Sequence, residues 1–155
     1  MRWSHLVPPG GAVLDVACGA GRHTRWFADR GHPVTGVDRS DEAVQAASRH
    51  GRVLHADIED GPWPFDGQRF AVVVVTNYLW RPRLPDIVTA VAPGGVLLYE
   101  TFAAGNETVG KPSRPDFLLQ PGELLSACTG LRVVAYEDGF LPSPERFVQL
   151  SLIHI

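Results

Sequence analysis

The sequence predicts an α/β protein whose mostly parallel, doubly wound sheet lies between two layers of helices. Short apolar runs alternate with helix-like segments from residue 12 to the short helix that begins at Pro121, which is typical of a parallel sheet covered on both faces. Two further strand-like runs follow, joined only by a turn at residues 139–144. So short a connection joins antiparallel strands, and we therefore expect a three-layer, Rossmann-like fold that ends in an antiparallel hairpin.

The predicted strands are runs of apolar, mainly β-branched residues bounded by glycine, proline or charged residues. The first runs into a glycine-rich turn, and the second is followed by a carboxylate. The fourth contains four consecutive valines, which suits a strand buried on both faces. The expected strands are 12–16, 33–37, 52–55, 70–75, 96–101, 131–137 and 146–153.

The predicted helices are marked by their ends. The first carries aromatic residues at helical spacing and stops at Gly31, since glycine commonly follows the last helical turn. Ser40 is a good N-cap for the second, and Pro121 suits the first turn of the fourth. The helices are expected at 21–30, from 41 to about 51, at 84–91 and from 121 onwards, with a turn at 93–95 before the fifth strand.

Length and composition bound the class of protein. We expect one domain spanning residues 1–155. The net charge of −3 gives no electrostatic reason to expect nucleic acid as a partner. The first residues lack the apolar core of a signal peptide, and no apolar run approaches membrane-spanning length. Cys18 and Cys128 lack the spacing of a zinc site or a disulfide framework, so we expect a cytoplasmic protein without a bound metal or a membrane partner.

A glycine-rich turn follows the first strand and indicates a nucleotide site. Gly19 and Gly21 allow the backbone to pass close to a ligand, and the helix that follows directs its unsatisfied N–H groups there. In a dinucleotide fingerprint a third glycine would stand at position 24. The chain has Thr24 instead, which weakens the interpretation as a dinucleotide site.

Three carboxylates follow or interrupt the first three strands. Asp15 lies within an apolar strand, where it needs a partner; it suits a cationic ligand, or it only binds the backbone of the glycine turn. Asp38 ends the second strand, where a carboxylate accepts from both ribose hydroxyls, or it only caps the next helix. Asp57 follows the third strand and could accept from an adenine amino group while Ile58 packs on the ring.

The order of these segments resembles class I S-adenosylmethionine (SAM)-dependent methyltransferases. The segments are VLDVACGAGRHT, VTGVD, HADIED, FAVVVVTNYLWRP and a Pro-Gly-Gly turn. Within that superfamily the chain is most similar to the small tellurite-resistance-like (TehB-like) methyltransferases. The resemblance implies seven strands in the order 3-2-1-4-5-7-6 and SAM as the cofactor, with S-adenosylhomocysteine (SAH) as the product.

The resemblance also implies which residues form the site. The cofactor-binding residues would be Asp15, Ala17, Cys18, Gly19, Gly21, Asp38, Arg39, Asp57, Ile58 and Asn77. The candidates for a catalytic role are Asn77, Tyr78 and His23. Cys18 is expected to pack as a small apolar residue and not to act as a nucleophile.

The acceptor pocket is expected around the segment 102–120, which is too long for a simple connection and follows the carboxyl end of a strand. The substrate-binding candidates are Tyr78, Trp80, Arg81, Glu107, Arg114 and Phe117. About ten residues precede the first strand, where class I domains have a covering helix. We therefore expect an open cofactor site, or one that a second subunit closes in a homodimer, or else a trimmed gene product.

The expected function is transfer of a methyl group from SAM to a small-molecule acceptor. Two alternatives stay open at this point. One is a SAM-binding module without transfer activity, since no general base is obvious in the sequence. The other is an NAD(P)-binding oxidoreductase, which the residue at position 24 and the final hairpin disfavour.

Overall fold

The computed structural model describes residues 3–154, and in that range seven strands form one mixed sheet. The strand order is β3-β2-β1-β4-β5-β7-β6, which confirms the predicted fold class. The strands are β1 (Val13–Val16), β2 (Val34–Asp38), β3 (Arg52–His55), β4 (Phe70–Thr76), β5 (Val91–Phe102), β6 (Arg132–Pro142) and β7 (Glu145–His154). The first five pair in parallel, and β7 pairs antiparallel with both β5 and β6.

The described range contains four α-helices and four short 3₁₀ turns, and all but the first 3₁₀ turn lie between strands. The helices are α1 (Arg22–Ala28), α2 (Asp41–Ala47), α3 (Leu84–Thr89) and α4 (Glu123–Ala127). The 3₁₀ turns are Ser4–Leu6, Arg81–Arg83, Asn106–Thr108 and Pro115–Phe117. Ser40 caps α2 as predicted, because its hydroxyl accepts from the Ala43 N–H at 3.3 Å. None of the described helices is long and apolar enough to cross a membrane.

Two turns differ from the prediction. The turn expected at residues 93–95 lies inside β5, because Val91 pairs with Phe70 and Val96 pairs with Val72. The chain thus stays beside β4, and the extra residues form an irregularity in the ladder. The turn expected at 139–144 is also shorter: Pro142 pairs with Glu145, so both hairpin strands extend further than their sequence pattern indicates.

The four consecutive valines of β4 divide the core into its two layers. Val73 and Val75 belong to the larger cluster, which includes Ile87 of α3 and Leu124 of α4. The intervening Val72 and Val74 belong to the smaller cluster on the other face, together with Phe27 of α1. Alternate side chains of a strand point to opposite faces, and this strand is therefore buried on both, as expected.

Candidate functional site

A cavity of about 350 Å³ opens at the carboxyl ends of the parallel strands, where open α/β sheets bind ligands. Its lining comes from the ends of β1 to β5 and from the loop after β5. Among the lining residues are Ala17, Asp38, Arg39, Asp57, Ile58, Asn77, Tyr78, Phe102, Pro112 and Phe117. Eight of these ten were predicted from the sequence as site residues, with Phe117 among them as an acceptor contact. Phe102 and Pro112 were not predicted individually.

The carboxylate of Asp38 joins the glycine turn to the end of β2. Its Oδ2 atom accepts from the Gly19 N–H at 2.9 Å, and its Oδ1 atom accepts from the Ser40 N–H at 2.9 Å. A carboxylate has about four acceptor positions, so two remain for a ligand. Asp38 therefore holds the turn in place and also presents acceptor capacity at the cavity.

Asp15 is buried, with 2% of its surface exposed, and it is satisfied by α1. The Thr24 hydroxyl donates to its Oδ2 atom at 2.8 Å, and the Thr24 N–H donates as well. The carboxylate thus satisfies one of the unpaired N–H groups in the first turn of α1. Burial nevertheless raises the pKa of Asp15 to about 6, because a charged group is costly away from water.

Gly21 is required by helix packing as well as by the turn. Its φ is +92°, and a Cβ on it would lie 2.9 Å from the Cα and Cβ atoms of Ala47 in α2. A larger residue would therefore push α1 away from α2. Among the described residues of the turn, Ala17 lines the cavity, whereas Gly19 and Gly21 do not. The two glycines therefore act by shaping the backbone.

Two non-glycine residues of the described range have positive φ angles, and both line the cavity. They are Ala17 (φ 53°) after β1 and Asn77 (φ 54°) after β4. Asparagine tolerates this conformation better than alanine does. Such strained residues cluster at functional sites, and their positions on adjacent strands therefore support this edge of the sheet as the site.

Asp57 and Tyr78 form the polar wall at the β3 end of the cavity. The Oδ1 atom of Asp57 accepts from the N–H groups of Glu59 at 2.9 Å and Asp60 at 3.2 Å, and these bonds lower the pKa of Asp57. The Tyr78 hydroxyl donates to Glu59 at 3.1 Å. Burial and the nearby Glu59 charge raise the pKa of Tyr78, so its phenol stays protonated at neutral pH.

The three catalytic candidates do not lie together. Asn77 and Tyr78 line the cavity, whereas His23 lines a second cavity of about 350 Å³ with Thr76. The His23 Nε2 atom lies 3.2 Å from the Thr76 hydroxyl. Burial and the neighbouring Arg22 lower the pKa of His23, so the ring is neutral at neutral pH. A catalytic role for His23 stays a prediction. The residue lines a different cavity from Asn77 and Tyr78.

The acceptor candidates also differ in placement. Tyr78 and Phe117 line the cavity. The Glu107 carboxylate accepts from the Gly105 N–H at 2.8 Å, and the exposed Arg114 donates to Asp116 at 3.3 Å. The remaining two, Trp80 and Arg81, belong to the segment after β4, and the Arg81 guanidinium binds protein groups, described below. Within the described part of the chain, the cavity lining does not include these four candidates, which are Trp80, Arg81, Glu107 and Arg114.

Neither cysteine forms a disulfide, and burial raises the pKa of both thiols. Burial, with the charges of Asp15 and Asp38 nearby, raises the pKa of Cys18 to about 12. Burial raises the pKa of Cys128 to about 11. A thiol must ionise to act as a nucleophile, so the raised pKa values disfavour that role for both cysteines. Within residues 3–154 no group of three or more metal-ligating side chains is assembled.

The sheet order, the antiparallel hairpin and the cavity at the strand ends are those of the class I, Rossmann-like methyltransferase fold. The family described as a methyltransferase domain matches residues 13–95, more than half of the chain. The chain belongs to this methyltransferase family.

Two solved structures and one curated relative illustrate the similarity. TehB from Haemophilus influenzae superposes with a TM-score of 0.79 at 19% identity, over 99% of this chain and 60% of that one. A TehB-like SAM-dependent methyltransferase from Corynebacterium glutamicum gives 0.71 at 20% identity, over 97% and 83%. The malonyl-(acyl-carrier protein) O-methyltransferase of Serratia marcescens is 35% identical over 108 residues, 63% of this chain and 41% of its own length. The chain thus spans less than half of that relative.

Replacing Asp15 by Asn should stabilise the protein above pH 6 and not below pH 4. The raised pKa means that the folded state retains a proton that the unfolded state loses between about pH 4 and 6. Ionised Asp15 therefore lowers the free energy of unfolding as the pH rises through this window, and the decrease is complete at neutral pH. The free energy of unfolding of Asp15→Asn should exceed the wild-type value by on the order of 2–3 kcal/mol at pH 8, measured by urea denaturation.

Asp29→Asn is the matched control for this experiment, because the Asp29 side chain is 61% exposed. Such a surface change should alter stability by less than about 0.5 kcal/mol at either pH. Equal stability of Asp15→Asn and wild type at pH 8 would contradict the cost assigned to the buried carboxylate.

Proposed function

We propose that the cavity binds SAM and that the chain transfers its methyl group to a small-molecule acceptor. The observation that carries this proposal is Asp38, whose carboxylate is held by two backbone N–H groups and retains acceptor positions for a ribose diol. The family match supports the same conclusion.

The other lining residues fit the remaining parts of the cofactor. Asp57 and the buried Ile58 offer a carboxylate and an apolar surface for an adenine ring. Asp15, behind the glycine turn, supplies negative charge that suits the cationic methionine part. SAM, when bound, supplies a methyl group that its sulfonium already activates, so the protein's contribution is to orient the reactants and exclude water.

The acceptor would occupy the end of the cavity formed by β5 and the loop that follows it. Phe102, Pro112 and Phe117 line that end and carry no charge, so they suit an apolar or aromatic body. Phe117 is 41% exposed, and an acceptor that covered it would exclude water from the transfer. The net charge of −3 and the carboxylates in the lining argue against nucleic acid as the acceptor.

The lining residues also indicate whether the site can remove a proton from the acceptor. Tyr78 stays protonated, the amide of Asn77 does not take up a proton, and the lowered pKa of Asp57 makes it a weak base. We therefore favour an acceptor whose nucleophilic atom is already unprotonated at neutral pH, such as a carboxylate or a thiolate. The Serratia relative is named as an O-methyltransferase, which is compatible with an oxygen acceptor.

A SAM-binding protein without transfer activity is the second candidate, favoured by the absence of a strong base among the described cavity residues. Turnover of SAM to SAH with a panel of small carboxylic acids and thiols separates the two. Any acceptor-dependent turnover removes the second candidate, while tight SAM binding without turnover across the panel favours it.

Asp38→Ala should weaken SAH binding about tenfold or more, because the ribose loses a charged acceptor worth about 1.5–3 kcal/mol. Isothermal titration calorimetry (ITC) measures the affinity, and thermal unfolding confirms that the variant folds. Asp66→Ala, which removes an exposed carboxylate, is the control and should bind SAH as the wild type does. Wild-type affinity in a folded Asp38→Ala variant would contradict the ribose assignment, and binding of NAD in place of SAH would overturn the proposed donor.

Binding of SAH near pH 6 should release protons. A bound ammonium group would favour the charged form of Asp15, whose pKa of about 6 would fall, so affinity should rise between pH 5 and pH 7. ITC in buffers of different ionisation enthalpy counts the protons released. Asp15→Asn should abolish most of the release, and an equal release from this variant would show that another group titrates.

A further inference from the structure

The segment Arg81-Pro82-Arg83 directs two guanidinium groups to two different loops of the cavity. It follows β4 directly and forms a 3₁₀ turn in which the Arg83 N–H donates to the Trp80 carbonyl at 3.0 Å. The Tyr99 hydroxyl of β5 donates to the Tyr78 carbonyl at 2.8 Å. The chain just before the segment therefore follows β4 directly and is also held to β5 by this hydrogen bond.

Arg81 holds the loop after β5. Its Nη1 atom donates to the Asp116 carbonyl at 3.1 Å, and its Nη2 atom donates to the Leu118 carbonyl at 2.8 Å. These carbonyls stand on either side of Phe117, which lines the cavity. The same guanidinium binds both carboxylate oxygens of Glu123 in α4, at 2.7 and 2.9 Å.

Arg83 holds the loop after β3. Its Nε atom donates to the Ile58 carbonyl at 2.7 Å, and its Nη2 atom donates to the Gly61 carbonyl at 2.7 Å. Its Nη1 atom binds Asp86 at 2.9 Å, which fixes the guanidinium at the start of α3. The Gly61 N–H in turn donates to the Asp57 carbonyl at 2.8 Å, which closes the turn that carries three lining residues.

The two arginines thus fix the backbone of lining residues at opposite ends of the cavity. Neither guanidinium is itself part of the described lining, so their role is indirect. Four donors in a fixed plane are needed for the contacts of Arg81, and lysine, with one nitrogen, cannot reproduce them. The sequence had indicated Arg81 as an acceptor contact, whereas its hydrogen bonds are all to the protein.

We propose that Arg81 and Arg83 are positioning residues that set the two ends of the cavity independently. Arg81 sets the position of Phe117 and of the acceptor end, and Arg83 sets the position of Asp57 and Ile58 at the nucleotide end. The terms acceptor end and nucleotide end rest on the proposed function; the loop fixation does not.

Hydrogen exchange and SAH affinity together test this independence. Arg81→Lys should accelerate exchange of the Ala104 and Leu119 amides, which are hydrogen-bonded within the loop after β5, by about tenfold or more, and change the SAH dissociation constant less than about threefold. Arg83→Lys should accelerate exchange of the Gly61 amide and weaken SAH binding about tenfold, while the loop after β5 keeps its protection. These magnitudes correspond to the loss of one or two charged hydrogen bonds.

Two further variants control the comparison. Glu123→Gln should reproduce part of the Arg81→Lys effect, because the Arg81 guanidinium loses its charged partner. Arg114→Lys changes an arginine of the same loop whose side chain is 73% exposed, and it should alter neither readout. If both arginines had only a general structural role, each lysine variant would change hydrogen exchange in both loops and SAH affinity together. The distinguishing result is that each variant accelerates exchange only in its own loop and that only Arg83→Lys weakens SAH binding.

Unchanged exchange in Arg81→Lys, or equal effects of the two lysine variants on both readouts, would overturn the proposal. If the wild type does not bind SAH, the proposed function fails. In that case, hydrogen exchange of the Gly61 amide can still be compared with that of the Ala104 and Leu119 amides in the two lysine variants. This comparison decides whether the two loops are fixed independently.

Discussion

The hydrogen bonds of the Asp38 carboxylate are the interaction on which the rest of the site depends. One oxygen fixes the glycine turn after β1 through the Gly19 N–H, and the other fixes the start of α2 through the Ser40 N–H. The turn in turn determines where α1 begins and how closely it packs on α2. The position of a carboxylate at the end of β2 thus sets both the shape of the turn and the acceptor atoms that face the cavity.

A buried carboxylate, Asp15, supports the first turn of α1 beside this site. Asp15 accepts from the Thr24 hydroxyl and N–H, which explains why a threonine stands where a dinucleotide fingerprint has glycine. The threonine is therefore a structural partner of the carboxylate and not a vacant glycine position. Burial raises the pKa of Asp15, because the hydrogen bonds from Thr24 offset only part of the loss of water around the charged form.

Much of the fold could be predicted from local sequence pattern. The valines of β4 indicate a doubly buried strand because their alternation places them in both core clusters. The Ser40 cap and the glycine turn are also local signals. The predicted ends of the strands were less accurate. Strand β6 extends to Pro142, inside the turn predicted at 139–144, because Pro142 pairs with Glu145 of β7, and pairing between strands is not encoded in either segment by itself.

The contacts within the site were harder to predict because they join residues far apart in the chain. Arg81 binds a carboxylate 42 positions away, and Arg83 binds carbonyls more than 20 positions earlier. An arginine at a cavity rim suggests a ligand contact when its partners are unknown. The Arg-Pro-Arg spacing was the available signal, since two arginines around a proline on a short 3₁₀ turn diverge towards different neighbours.

A crystal structure of the protein with SAH would show directly whether Asp38 binds the ribose. We expect the ribose hydroxyls to bind Asp38 and the adenine to lie against Ile58 near Asp57. We also expect the SAH sulfur to lie near Asn77. The side of the sulfur from which an acceptor would approach should face Phe102 and Phe117. Adenosine bound in the second cavity beside His23 and Thr76, or a ribose that makes no contact with Asp38, would contradict these expectations.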